Sequence, residues 1–168
     1  MHCVHRVVEP TDLDRLNEII SEILGATCWR ANLSYGDELI LNIGDRLPYS
    51  QPSMAGREKG AWMLGTRASA WRIHCPMGTL ASSDEDPDAL KQKLHYVEGT
   101  SVTEFNTGFP DLALTVNFAN GCALRVFSDT ASDTDLPYWE LFTPHEMLLK
   151  IGPGAMWTYI SSDQPEPY

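Results

Sequence analysis

Residues 111–160 read DLALTVNFANGCALRVFSDTASDTDLPYWELFTPHEMLLKIGPGAMWTYI. Positions 112–118 alternate apolar and polar side chains, the period of a half-buried strand. Asn120-Gly121 is a hairpin turn signal, because such turns need a left-handed backbone. Positions 123–127 supply the return strand. After the run 128–135, which carries Asp129, Asp133 and Asp135, the pattern restarts. Tyr138-Trp139-Glu140-Leu141-Phe142 reads as a strand, Thr143-Pro144-His145 turns the chain, and 147–151 return. Gly152-Pro153-Gly154 is a turn and not a phosphate-binding loop, since neither lysine nor helix follows it. Trp157-Thr158-Tyr159-Ile160 closes the core.

An earlier segment follows a similar plan. Positions 28–35 and 39–43 read as a hairpin around Gly36-Asp37. A polar loop spans 46–59, and a second hairpin joins 60–64 to 70–74 through a turn at 66–69. Gly36 precedes Leu39 as Gly121 precedes Leu124, and Trp62-Met63-Leu64 parallels Trp139-Glu140-Leu141. The expectation is an internal pseudo-repeat, 26–74 and 111–160, within a single domain 1–168. Ahead of it lies an amphipathic helix. Thr11 is its expected N-cap, with Asp14 reaching back. Leu13, Leu16, Ile20 and Ile23 fall on one face, and Gly25 stops it. Between the repeats, 76–88 reads as an exposed connection, 89–94 as a short helix, and 94–97 and 101–105 as strands. The expected class is α+β. It is mainly antiparallel β built from two similar hairpin-rich halves, an open barrel or curved sheets, with the N-terminal helix packed on it.

The chain has 168 residues and 43% hydrophobic side chains, enough for one continuous core. No apolar run approaches the ~18 residues of a membrane span. The start, MHCVHRVVEP, lacks the apolar centre of an export signal, which points to a cytoplasmic protein. Cys3, Cys28, Cys75 and Cys122 are accordingly expected as reduced thiols. The formal charge of −11 is uneven. Residues 1–73 hold nine acids and eight bases, and 74–168 hold fourteen acids and four bases. That field repels nucleic acid and anionic membranes, and attracts a basic partner.

GATCWRANLSYGDELILNIGD (25–45), KGAWMLGTRASAWRI (59–73) and LPYWELFTPHEMLLKIGPGAMW (136–157) carry a resemblance. They are similar to small bacterial two-repeat β-rich proteins of uncharacterised function. Those pair a W…G…L…FG hairpin with a GxWxLW…WRI hairpin, then close with W-x-L and a GPG turn. Such proteins in turn look similar to immunity proteins of bacterial toxin systems. The resemblance brings no catalytic signature. Its matching positions, Trp62, Trp71, Arg72, Trp139, Leu141 and Gly154, imply structural roles. Gly65-Thr66 stands where relatives have aromatic residues.

No stretch carries a motif that dictates a reaction. His2, Cys3, His5, His74 and Cys75 are metal-ligand types, but their spacing fits no common zinc pattern, and no metal is expected. Cys75 follows His74 on a strand, so the two side chains point to opposite faces. Glu140 with Glu146, or Asp129 with Asp133, are carboxylate pairs whose spacing in space the sequence does not give. The leading expectation is therefore a non-enzymatic acidic protein-binding domain without cofactor, an immunity-type inhibitor that occludes the active site of a basic toxin. Its footprint is Asp84, Glu85, Asp86, Asp88, Asp129, Asp133 and Asp135, and the protein is monomeric or homodimeric. The alternative is a small-ligand binder or an enzyme of unrecognised type with a pocket lined by Trp62, Trp71, Trp139 and Arg72.

Overall fold

A computed structural model describes residues 4–49, 51–67, 69–128 and 135–162. Among these described residues twelve strands pair into one sheet: β1 (Val4–Arg6), β2 (Thr27–Leu33), β3 (Leu39–Pro48), β4 (Glu58–Thr66), β5 (Trp71–Cys75), β6 (Gly78–Ser82), β7 (Thr100–Thr107), β8 (Leu114–Phe118), β9 (Ala123–Val126), β10 (Trp139–Phe142), β11 (Met147–Ile151) and β12 (Met156–Ser161). Their spatial order is β1-β12-β11-β10-β4-β3-β2-β7-β8-β9-β5-β6. The described pairings are all antiparallel. The sheet stays open, with β1 and β6 at its edges.

The two arms of the sheet meet through the short β2–β7 junction, Thr27↔Ser101 and Cys28↔Thr100. They face each other across the core. Trp139 of β10 meets Phe105 of β7 edge-on, with ring centroids 5.9 Å apart. Trp71, Trp139 and Trp157 are almost wholly buried. A buried indole N–H needs an acceptor, and each finds a backbone carbonyl in a distant segment: Asp37, Leu112 and Asp12. These bonds tie β5 to the β2–β3 turn, β10 to the β7–β8 loop, and β12 to the N-terminal helix.

That helix is α1 (Asp14–Ile20), extended by 3₁₀ turns at Pro10–Leu13 and Ser21–Ile23. Leu13, Leu16, Ile20 and Ile23 are buried, as their spacing predicts. Each such side chain contributes roughly 1.5–3 kcal/mol by leaving water. The helix starts earlier than expected. Asp12 is the residue that reaches back, accepting from the N–H groups of Val8 and Glu9 at 2.8 and 2.9 Å, so Thr11 is not the cap. These bonds, Val8 first, hold the Asp12 carboxyl below its ordinary value. Gly25 sits at φ +87 and ends the element, donating to Val102 O.

The hairpins β2–β3, β8–β9 and β10–β11 form where the sequence indicates. The expected hairpin of 60–64 with 70–74 does not. β4 pairs with β3 and β10, whereas β5 crosses to the other arm and pairs with β6 and β9. The segments 26–74 and 111–160 are therefore wired differently. The first runs β2-β3-β4 as neighbours, and the second splits into two hairpins on opposite arms. Three local readings also change. Only the ends of the 46–59 loop join the ladder, Arg46↔Gly60 to Pro48↔Glu58, and the 76–88 connection contains β6. Residues Leu94–Val97 are 3₁₀, continuing α2 (Pro87–Lys93).

The reduced-thiol expectation is corrected at two positions. Cys75 and Cys122 form a disulfide. The pairing His74↔Ala123 on β5 and β9 brings these residues, 47 apart in sequence, side by side. Such bonds persist in oxidising surroundings. Cys28 remains a buried thiol, and Cys3 lies outside the described residues. Among the described residues no helix is long and apolar enough to cross a membrane.

Candidate functional site

The topology brings the starts of the two expected acidic runs, after Ser83 and after Phe127, to one end of an arm. β5 begins where β6 and β9 end: Trp71 faces Val126, and Arg72 faces Ser82. Beyond these pairs, Ser83 N donates to Trp71 O and Phe127 N to Ala70 O. The chain therefore leaves β6 into 84–88, and β9 towards 128–135, on either side of the first residue of β5. Asp84, Asp86, Asp88 and Asp135 are exposed, and Glu85 is half-buried. Asp129 and Asp133 lie outside the described residues.

Not all of these carboxylates are alike. Glu85 accepts from Lys93 Nζ at 2.5 Å and from Ser82 N at 2.8 Å. The lysine bond, then the backbone N–H, lower the Glu85 carboxyl from its ordinary value. Asp88 lies 3.7 Å from Lys91 Nζ. The lysines of α2 thus offset part of the charge at this end, and Asp84 and Asp86 are left as its outward acids, while Asp135 is exposed on the approach to β10, where Tyr138 O accepts from Ser69 Oγ at 2.6 Å.

The alternative pocket set is differently placed. Trp62, Trp71 and Trp139 are 4%, 1% and 0% exposed, within the core. Arg72 projects from the opposite face of β5. It stands directly across from Arg125, and both guanidinium carbons sit about 6 Å from the Phe127 ring, at 6.0 and 5.8 Å.

Two clefts do exist, both on the outer face of the β12-β11-β10-β4-β3-β2 arm. Register builds a cross-strand row there: Ile160, Leu148, Phe142, Met63, Asn42 and Arg30 are successive partners. One cleft, about 460 Å³, lies over Ala61, Met63 and Phe142, with Lys59 and Glu146 at its sides. The other, about 400 Å³, lies over Met63, Ile40 and Leu33 and is lined by Arg30, Asn32, Asn42, Arg57 and Glu58. Tyr49 contributes to both. The sequence reading missed this face because it took 46–59 as loop. The available signal was the charge imbalance, since eight of the twelve bases precede residue 74.

The expected catalytic and ligand types are dispersed. His5 stacks on Trp157 at 3.9 Å, and His74 Nδ1 lies 3.2 Å from Thr79 Oγ1. His2 and Cys3 lie outside the described residues. Among the described residues no group of three or more His, Cys, Asp or Glu could hold a metal ion. Burial pushes the Cys28 thiol up to about 12, so this sulfur carries no thiolate near neutrality. Glu140 is spent on Arg67, at 3.2 Å. Arg67 Nε also lies 3.3 Å from Glu38, close enough for ion pairing but without hydrogen-bond alignment. Glu146 is exposed in the β10–β11 turn. Gly152-Pro153-Gly154 wraps Tyr138, whose hydroxyl accepts from Gly154 N at 3.0 Å, so this turn is architectural.

No protein family matches the chain, and no curated protein or solved structure matches it.

Proposed function

We propose that this protein is a non-enzymatic binding domain whose acidic end captures a basic protein, in the manner of an immunity protein that covers a toxin's active site. The observation that carries this reading is the shared exit of both acidic runs beside the start of β5. Carboxylates on two separate loops then act on one partner surface. Their field raises the encounter rate with a cation, while the buried core behind them keeps the loop bases fixed. A lid over an active site requires no bond to break, which suits side chains whose chemistry is solvated charge. The resemblance of the tryptophan-bearing segments to small bacterial β-rich proteins supports the same reading.

The test is kinetic. A partner captured from the host cell is bound by the native chain and by D84K/D86K/D135K. The association rate at low salt is expected to fall by about tenfold or more, and the difference to shrink as salt screens the charges. An unchanged rate at low salt would reject the acidic end as the binding surface.

A further inference from the structure

We infer that the Arg30–Arg57 cleft on the outer face of β2, β3 and β4 is a binding site for a small aromatic acid: a flat ring bearing a carboxylate or phosphate group. This goes beyond the acidic end, which lies on the other arm of the sheet.

The first observation is charge. Arg30 and Arg57 come from separate elements, β2 and the β3–β4 connection, and both line the cleft. Neither makes an ion pair among the described residues. Glu58 is the one carboxylate in the described lining, so the lining is net positive in a chain of formal charge −11. Lys59 lines the neighbouring cleft, with its amine 5.4 Å from the centre of the Tyr49 ring that the two clefts share.

The second observation is independent of the arginines. Asn42 is 6% exposed and lies in the cleft lining. Its Oδ1 accepts from Gly60 N at 2.9 Å, which fixes the orientation of the amide. The NH₂ group is then the end left to the cleft, with no hydrogen-bond partner among the described residues. That nitrogen keeps contact with solvent in the cleft, where a ligand acceptor can take the place of water. Gly60 keeps this arrangement in place. A Cβ there would lie 2.4 Å from Ile43 N, so the backbone of β4 can approach β3 only as glycine.

Two guanidinium groups and an unspent amide are all donors, and donors converge on an anion. Below them, Met63, Ile40 and Leu33 give an apolar floor, and Met54 with Tyr49 gives a wall. Such a floor selects a ring over a bare ion, because methionine sulfur and an aromatic face both pack well on one.

Titration followed by ¹H–¹⁵N NMR tests this with phenyl phosphate and phenylacetate. Inorganic phosphate and benzyl alcohol serve as the charge-only and ring-only probes. Saturable shifts of the Asn42 side-chain NH₂ and the Arg30 Nε–H are expected with at least one aromatic acid. R30Q/R57Q should raise its Kd about tenfold or more, the loss of charge-assisted bonds, while R125Q leaves it unchanged. Both variants alter exposed side chains, and their spectra report directly whether the fold is retained. Absence of saturation by about 10 mM, a level corresponding to less than about 3 kcal/mol of binding, overturns the proposal. So does an unchanged Kd in R30Q/R57Q. Equal affinity for benzyl alcohol would remove the anion from it, and equal affinity for inorganic phosphate would remove the ring.

Discussion

At the scale of single residues, a few polar atoms do structural work that apolar burial cannot. Asn42 replaces a ladder partner for Gly60 N where β3 is irregular between Ile43 and Arg46. Asn42→Ala strands that buried N–H and should cost about 1–3 kcal/mol, read as a shift in urea midpoint at unchanged slope. Gly152 is constrained from two directions. It sits at φ +76, and a Cβ there would meet the Tyr138 ring at 2.5 Å. Gly152→Ala is expected to destabilise by roughly 2 kcal/mol or more, and a neutral result by denaturant unfolding would contradict the packing of this turn. Glu85 makes stability depend on acid. Its folded value is lowered by Lys93 and by Ser82 N from the ordinary 4.5. The contribution is therefore fully present above about 4.5 and fades as the pH falls through the depressed folded value. The pair is partly solvent-screened, so E85Q should cost only about 0.5–1 kcal/mol at neutral pH, with the gap closing in acid.

Among elements, the legible ones are those whose signals are local. Asn120-Gly121 and Gly36-Asp37 announce their hairpins, and the apolar face of α1 announces itself by spacing. Two strands that follow each other in sequence were harder to place. β4 and β5 carry Trp62 and Trp71, yet the four positions between them cross from one arm to the other, and no turn residue marks the difference between a hairpin and a crossover. β6, GTLAS, hides in a polar run because it is a short edge strand with one fully buried side chain, Ala81. The disulfide was illegible for the same reason. Cys75 and Cys122 become neighbours only once β5 pairs with β9, a contact between distant segments. C75A/C122A removes a crosslink across 47 residues of chain and should lower stability by about 3–4 kcal/mol, measured against the oxidised protein by thermal or denaturant unfolding. An equal midpoint would show the bond to be energetically idle.

For the whole molecule, the two proposed binding surfaces separate by arm. One arm gathers outward acids at the end where β6 and β9 terminate. The other presents a sheet face with an apolar row, two clefts and the arginines of β2 and the β3–β4 connection. The sequence shows the excess of acid but not that the chain enters both acidic stretches from one place, since Ser83 and Phe127 are brought together only by the β6-β5-β9 order. It likewise shows the bases of the first half without showing that Arg30 and Arg57 share a cleft. Trp62, Trp71 and Trp139 stand in the core, so the alternative site built on them has no open surface to offer a ligand. The most direct measurement is backbone hydrogen exchange of the chain with its captured protein partner. The account predicts added protection at 69–71, 82–88 and 135–138, around the start of β5. Protection confined to the Arg30–Arg57 face, with those three segments unchanged, would contradict it.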